Sequence, residues 1–334
     1  MMNGEDLELF ERSLRHVTER HSGAELDTAL AELGWSDALA IDRRAAVSLL
    51  FALQGEAGST SGALGRVVTA ALGLEVDADT AVVLPAIDRW APPGTLDGGR
   101  LTVNGLLTVD PLTPTRVDPR TPTQVDPRPR SLVLATQGEA VVAVTVPTEA
   151  LALRPVQGID PRMALHTATA EGAAVDSSAV AVDEWDRAVA DARLAVAHQL
   201  VGTSRTMLRL AREHALDRVQ FDRPIAGFQA VRHRLAETLV AVETAEAMLD
   251  AAWLDSSRDS AAMAKAVAGR EARTAAKHCQ QVLAGIGFTT EHDLHLFIRR
   301  AFVLNGLFGT AKTITAAQGA DLLATRRLPP LLPL

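Results

Sequence analysis

In the segment Arg218-Val-Gln-Phe-Asp-Arg-Pro-Ile225 a guanidinium and a side-chain amide fall at the end of a helical pattern, immediately before Pro224 restarts the chain as the next helix. A fork of N–H donors placed there can hold a diphosphate through paired hydrogen bonds. Further on, Gln281-Val-Leu-Ala-Gly-Ile-Gly287 ends another helix, and its small residues Ala284, Gly285 and Gly287 let a second backbone or a cofactor approach closely. Glu291, His292 and His295 carry metal-binding side chains, yet His-x-x-His at a helix start with no thiolate nearby fits capping and packing as well. His214, His233 and His278 stand singly in helical stretches, where an imidazole ordinarily packs or faces water. Cys279 reads as a small core residue, because nothing beside it in sequence activates a thiol. Phosphate-binding loops, dinucleotide glycine fingerprints, HExxH and Gly-x-Ser-x-Gly elbows are absent from the sequence.

The elements that must position these groups follow from periodicity. Residues 5–73 read as helices, since Leu7, Phe10, Leu14 and Val17 recur at three- and four-residue steps and Gly34 interrupts the pattern before Trp35. A helical run from Asp42 to about Gln54 gives way to a loop over Gly55, Gly58, Ser59, Thr60, Ser61 and Gly62. From Thr80 to about Val175 the period becomes two, as at Leu101 and Val103 or Val142, Val144 and Val146, which predicts a small β domain. Inside it the octapeptide Thr113 to Arg120 is repeated with one difference from Thr121 to Arg128. Its prolines deny strand hydrogen bonds, so it is expected to be an extended surface loop, poorly ordered unless held, and most simply an insert without function. From Asp183 the pattern is helical again. Phe228, Val231, Leu235, Leu239, Val242, Ala245, Leu249 and Ala252 demand a long helix with one face packed on others, and further helices are expected over 184–216, 260–284, 292–305 and 311–324. The fold class is therefore α+β, mainly α. It comprises an N-terminal helical domain over 1–75, a small middle β domain over 76–182 with a proline-rich insert at 111–130, and a C-terminal helical bundle over 183–334.

Composition narrows the function. With 334 residues, 47% apolar and 22% charged, the chain is no disordered segment and suggests two to three domains. The net charge of −8, from 33 Lys+Arg and 41 Asp+Glu, makes nucleic acid a poor partner and means that an anionic cofactor needs local donors. The single cysteine excludes an internal disulfide and a Cys-rich zinc cluster, and the absence of tyrosine excludes tyrosine chemistry. The start carries no apolar leader and no stretch approaches about 18 apolar residues, so a cytoplasmic protein that does not span a membrane is expected.

Taken together, the two glycine- and arginine-bearing motifs resemble the C-terminal domain of the acyl-CoA dehydrogenase family. ALDRVQFDRPIAGFQAVRHRLAE is similar to that family's Arg-x-Gln-Phe-Gly-x-Pro-Ile-x-x-Phe-Gln pattern, with Asp222 where glycine is usual. QQVLAGIGFTTEHDLHLFIRRA is similar to its Gln-x-x-Gly-Gly-x-Gly segment, with Ala284 in place of the first glycine and a Glu-His-Asp-Leu-His ending common in bacterial members. The helix, β, helix order agrees with the family's fold, although the motifs themselves lie from about 184 onward. The resemblance implies FAD as cofactor, bound across a subunit interface, with each subunit completing its neighbour's site. Carried over residue by residue, Arg218, Gln220, Phe221, Gln281, Gly285 and Thr310 would contact it; the alternative is that they serve only packing. Asp222 would repel the diphosphate unless Arg223 offsets it, or is simply a solvent-facing turn residue paired with Arg223.

The implied reaction needs a carboxylate to remove an α-proton from a thioester while a β-hydride passes to the flavin. The family's Glu of a Tyr-Glu-Gly-Thr turn aligns with Leu307-Phe308-Gly309-Thr310, so Phe308 stands where the base should be. Members that place the base ahead of the Arg-x-Gln-Phe helix align with Ala192; neighbouring Asp191, about 100° around a helix, could substitute only after a register shift. AVVLPAIDRW, from Ala81 to Trp90, also departs from the family's Thr-Glu-Pro-x-x-Gly-Ser-Asp run and Trp-containing strand, which implies a missing flavin-ring pocket. The resemblance is thus to the short, base-lacking subunit of bacterial α2β2 acyl-CoA dehydrogenases, some of which act in steroid side-chain breakdown. Expected partners are an acyl-CoA substrate, a catalytic acyl-CoA dehydrogenase subunit, and an electron-transfer flavoprotein. Two alternatives stay open: a cofactor-free homo-oligomeric scaffold or binding protein, and an active homotetramer using Asp191.

Overall fold

A computed structural model describes residues 4–77, 80–108, 130–175 and 180–326. The octapeptide repeat lies outside the described residues. The chain forms two compact units: Met1–Leu50 with Ser59–Ala192, and Phe51–Gly58 with Arg193–Leu334.

The first unit opens with helices α1 (Gly4–Arg20), α2 (Ala24–Glu32) and α3 (Trp35–Ile41), then the start of α4 (Arg43–Ala57), then α5 (Ala63–Ala71). Gly34 separates α2 from α3 with φ 68°, the left-handed conformation that glycine reaches without a Cβ penalty. Trp35 is buried and donates its indole N–H to Ala46 O at 3.1 Å. Asp27 of α2 accepts the Gly62 amide at 2.8 Å, at the start of α5.

Eight strands follow: β1 (Ala81–Pro85), β2 (Gly94–Asp97), β3 (Arg100–Leu107), β4 (Arg130–Gln137), β5 (Ala140–Pro147), β6 (Ala152–Pro155), β7 (His166–Ala174) and β8 (Val180–Val182). They pair in the order β6-β7-β3-β1-β4-β5-β8, with β2 joining β3 and β4 off that path. β3 shows the two-residue period, with Leu101 and Val103 buried between exposed Arg100, Thr102 and Asn104. β1 and β4 do not alternate, since Val82–Pro85 and Ser131–Ala135 are buried without a break. Such strands are covered on both faces. On β1 the cover is α5, whose Gly65 comes so close that a Cβ there would lie 2.8 Å from Val82 Cβ. Val83, Leu101, Val133, Val144 and Ala168 fill the sheet's core.

The second unit is helical: the end of α4, the body of α6 (Trp185–Asp217), α7 (Gln229–Asp255), α8 (Arg258–Leu283), α9 (Leu294–Gly306) and α10 (Ala311–Thr325), with a two-residue strand pair β9 (Val219–Gln220) and β10 (Arg223–Pro224) between α6 and α7. α4 runs on through Gly55 and Glu56, where the sequence predicts a loop. A close crossing keeps it helical: a Cβ on Gly55 would lie 2.2 Å from Gln199 O and one on Gly202 only 2.0 Å from Ala52 O, so glycine on both helices lets the backbones touch. α8 presents an alanine face, Ala261, Ala264, Ala268, Ala272 and Ala275, all buried. The expected stripe of α7 is packed over Val242, Ala245, Leu249 and Ala252, but Leu239 is half exposed and Val240 more so. No described helix is long and apolar enough to cross a membrane.

Candidate functional site

At the end of α6 the chain reverses through β9 and β10, with Gln220 paired to Arg223 and Val219 to Pro224. The two central residues, Phe221 and Asp222, have φ of 52° and 61°. A two-residue hairpin loop of this hand requires positive φ at both positions. Aspartate tolerates the left-handed region and phenylalanine resists it, so the turn stores strain of about 1 kcal/mol or more at Phe221. Aromatic contacts offset part of it. Phe221 meets Phe228 edge-on at 6.1 Å between centroids, and the Arg223 guanidinium lies 4.2 Å from the Phe228 ring centroid. Arg223 is thus engaged with an aromatic face, and the sequence-based pairing with Asp222 is not formed. The backbone of Arg218 is fixed on both sides, its N–H donating to His214 O at 2.9 Å and its O accepting from Ile225 N at 2.8 Å. The Arg218 and Gln220 side chains and Phe221 are exposed.

The second motif closes α8. Ala284 caps the helix with φ 51°, which explains why a glycine suits this position: the alanine Cβ is held in a strained conformation. Residues Ala284–Phe288 form a 3-10 turn. Gly285 is exposed with nothing within 4 Å of a Cβ position, so its backbone is open to approach, whereas a Cβ on Gly287 would touch Leu283 at 3.0 Å. Gln281 is exposed at the end of α8. His292 Nδ1 accepts the Leu294 amide at 3.1 Å at the start of α9, and His295 Nδ1 meets His292 O at 2.8 Å. These are capping contacts. Among the described residues no group of three His, Cys, Asp or Glu could hold a metal.

His214 joins the two motifs. Its ring packs at 89° against that of His292, 6.1 Å between centroids, one turn before Arg218. Burial, with His292 and Arg218 beside it, holds its pKa below the usual imidazole value, opposed by Asp217. One end of the second unit therefore carries both the Arg218 hairpin and the glycine turn.

The third group is the turn from Asn305 to Thr310. Phe308 is 1% exposed with φ 55°, and Gly309 has φ 100°. Thr310 caps α10: its Oγ1 accepts Thr313 N at 3.1 Å while Thr313 Oγ1 accepts Thr310 N at 3.0 Å. Lys265, fully buried on the alanine face of α8, donates its ammonium to Asn305 O at 3.1 Å and Gly309 O at 3.2 Å. Arg193 Nε donates to Phe308 O at 3.2 Å, and Asn305 Oδ1 accepts Ala311 N at 3.2 Å. Lys265, Arg193 and Asn305 were not singled out from the sequence. The available signal is a lysine whose three- and four-residue neighbours along the helix are the small residues Ala261, Ala262, Ala268 and Gly269.

In the first unit, Asp191 pairs with Arg43 Nη1 at 2.9 Å. Burial raises its pKa, opposed by Arg43 and Arg187. Ala192 is wholly buried.

Residues 186–319 match the family model described as the acyl-CoA dehydrogenase C-terminal domain. Acyl-CoA dehydrogenase IpdE2 of Mycobacterium tuberculosis is 38% identical over 117 residues, 35% of this chain and 37% of that protein. The chain thus spans little more than a third of the length of that relative. The ChsE4-ChsE5 complex from Mycobacterium tuberculosis superposes with a TM-score of 0.75 at 18% identity, covering 98% of this chain and 99% of the other. A glutaryl-CoA dehydrogenase from Mycobacterium smegmatis in complex with FADH2 superposes at 0.74 and 14% identity, covering 98% and 97%.

Proposed function

We propose, from the match of residues 186–319 to the acyl-CoA dehydrogenase C-terminal model on a chain with the acyl-CoA dehydrogenase fold, that this protein is a subunit of a flavin-dependent acyl-CoA dehydrogenase that completes the FAD site of a catalytic partner. The observation that carries this reading is an asymmetry. The donors of the Arg218 hairpin and the open backbone at Gly285 face outward on one end of the second unit, while the base position holds the buried Phe308.

The fit to the diphosphate end of FAD is good. Arg218 offers a guanidinium whose backbone is locked by two hydrogen bonds, Gln220 an amide on the same hairpin, and Gln281 another at the end of α8. Gly285 lets a phosphate reach the main chain, and Thr310 is held at a helix start by its capping box. The fit to the reaction centre is poor: Phe308 cannot accept a proton, and Asp191 would have to leave Arg43 to do so. When bound, the flavin supplies hydride acceptance; the α-carbon base and the ring pocket belong to the companion chain, which takes the acyl-CoA and passes electrons to an electron-transfer flavoprotein.

Coexpression with a full-length acyl-CoA dehydrogenase tests this. A yellow complex, active only when both chains are present, is the expected result. A colourless homo-oligomer under every pairing overturns it in favour of a scaffold, and a yellow, active homo-oligomer silenced by Asp191→Asn overturns it in favour of a self-sufficient enzyme. Within the complex Arg218→Ala should weaken FAD retention about tenfold or more, as expected for a lost charge-assisted pair, and Asp222→Gly should change it little.

A further inference from the structure

A short run of local hydrogen bonds joins the glycine turn to α9. Ile286 O accepts from Thr289 N at 3.1 Å and from Thr289 Oγ1 at 2.9 Å, and Thr289 Oγ1 accepts from Glu291 N at 3.3 Å. His292 continues it: its Nδ1 accepts the Leu294 amide at 3.1 Å, while its carbonyl oxygen accepts from His295 Nδ1 at 2.8 Å. Asp293, in the N-cap position of α9, makes no side-chain capping bond among the described residues, so the first amide of the helix depends on the His292 ring. A ring nitrogen that accepts a hydrogen bond carries no proton, which fixes neutral His292 as the Nε2–H tautomer. A second proton on that ring can enter only at Nδ1. It turns the acceptor into a donor facing another donor, and the cap is lost.

The same ring is the contact between the two motifs. His292 meets His214 edge-on at 6.1 Å, and His214 precedes Arg218 by one turn at the end of α6. The ionisable groups around this contact are Asp217 and Arg218 on the α6 side and Glu291, Asp293 and His295 beside His292, of which Glu291 and Asp293 are exposed. Burial, the His292 ring and Arg218 hold the His214 pKa below its usual 6.5, against the pull of Asp217. A folded-state value below the unfolded one means that the stabilisation from neutral His214 is complete above 6.5 and lost as the pH falls. Acid therefore acts on both rings in one direction: it charges His214 against Arg218, and it removes the acceptor that caps α9.

We propose that His292 is a positioning residue released by acid, which while neutral holds the glycine turn and the start of α9 against the Arg218 end of α6. The joint is made by this chain's own contacts and needs no cofactor, so it and the FAD reading can fail separately. Amide exchange of the full chain, read by mass spectrometry and corrected for the pH dependence of the intrinsic rate, tests it at residues 288–298, with α7 as the internal reference. Between about pH 7.5 and about pH 5 the parent should lose protection there by about threefold to tenfold, the equivalent of one hydrogen bond, with α7 unchanged. His292→Asn should hold its protection across that range, because its Oδ1 sits on Cγ as Nδ1 does and accepts at every pH within it. His292→Leu, which has no acceptor, should be poorly protected throughout. Protection that stays constant in the parent, or that falls in His292→Asn as it does in the parent, overturns the proposal, as does a His292→Leu variant protected like the parent at pH 7.5.

Discussion

Lys265→Met deletes the ammonium that holds the Asn305–Thr310 turn while keeping an unbranched side chain of similar length. The parent residue is 0% exposed and donates to Asn305 O at 3.1 Å and Gly309 O at 3.2 Å. Hydrogen bonds involving a charged group contribute about 1.5–3 kcal/mol each, and two buried carbonyls lose a donor at once. Relief of the cost of burying a cation offsets part of this, so the net loss should be about 3 kcal/mol. For a protein stable by roughly 5–15 kcal/mol that is a large fraction. Urea unfolding at neutral pH reads the global loss, and amide exchange over Asn305–Ile314 reads the local one. Because Gly309 immediately precedes the cap at Thr310, protection at the start of α10 should fall before that of α7. A variant within about 1 kcal/mol of the parent, with unchanged exchange in that segment, would refute the assignment of Lys265 as the clamp of the turn.

Burial lifts the Asp27 carboxyl from 3.8 to about 6 despite the Gly62 amide and Arg66. Its folded-state value lies above the unfolded one, so the stabilisation from its neutral form is full below pH 3.8 and is lost as pH rises through about 6, a change of about 2–3 kcal/mol. Asp27→Asn should abolish that part of the stability–pH profile, measured as the difference between parent and variant from pH 4 to 7. Gly202→Ala would place a Cβ 2.0 Å from Ala52 O and should lower stability by about 1–3 kcal/mol in chemical denaturation, with Ser204→Ala as a milder comparison. The buried Cys279 thiol is pushed up to about 12, so iodoacetamide at pH 8 should leave it unlabelled in the folded protein and label it in urea, as mass spectrometry would report.

Helices with a clean period were legible in the sequence, and so was the break at Gly34, because local spacing and one left-handed glycine decide them. The end of α4 was not legible: Gly55 reads as a breaker in isolation, and only its approach to Gln199 O shows why a helix needs it. The period of two read over 80–175 does not extend to β1 and β4, which are buried without a break, α5 covering β1. At the site, Arg218, Gln281 and Gly285 announce themselves by residue type at helix ends. The clamp of Lys265, Arg193 and Asn305 does not, since its partners are backbone groups, carbonyls for Lys265 and Arg193 and the Ala311 amide for Asn305, and those of Lys265 lie 40 residues or more away in sequence. Likewise the strain at Phe221 and Ala284 is a property of φ that residue order alone does not reveal.

The last turns of α4 belong to the helical unit otherwise built from Arg193 onward. Thr206 Oγ1 reaches Glu56 O at 2.9 Å across 150 positions of chain, and Thr203 reaches Gly55 O from 148 positions away. On the ribosome, at roughly 5–20 residues per second, that short strap must wait about 7–30 s for its seat to emerge. A fragment beginning at residue 186, where the family-model match starts, would lack the strap and leave the closely packed helix face at Gly202 uncovered.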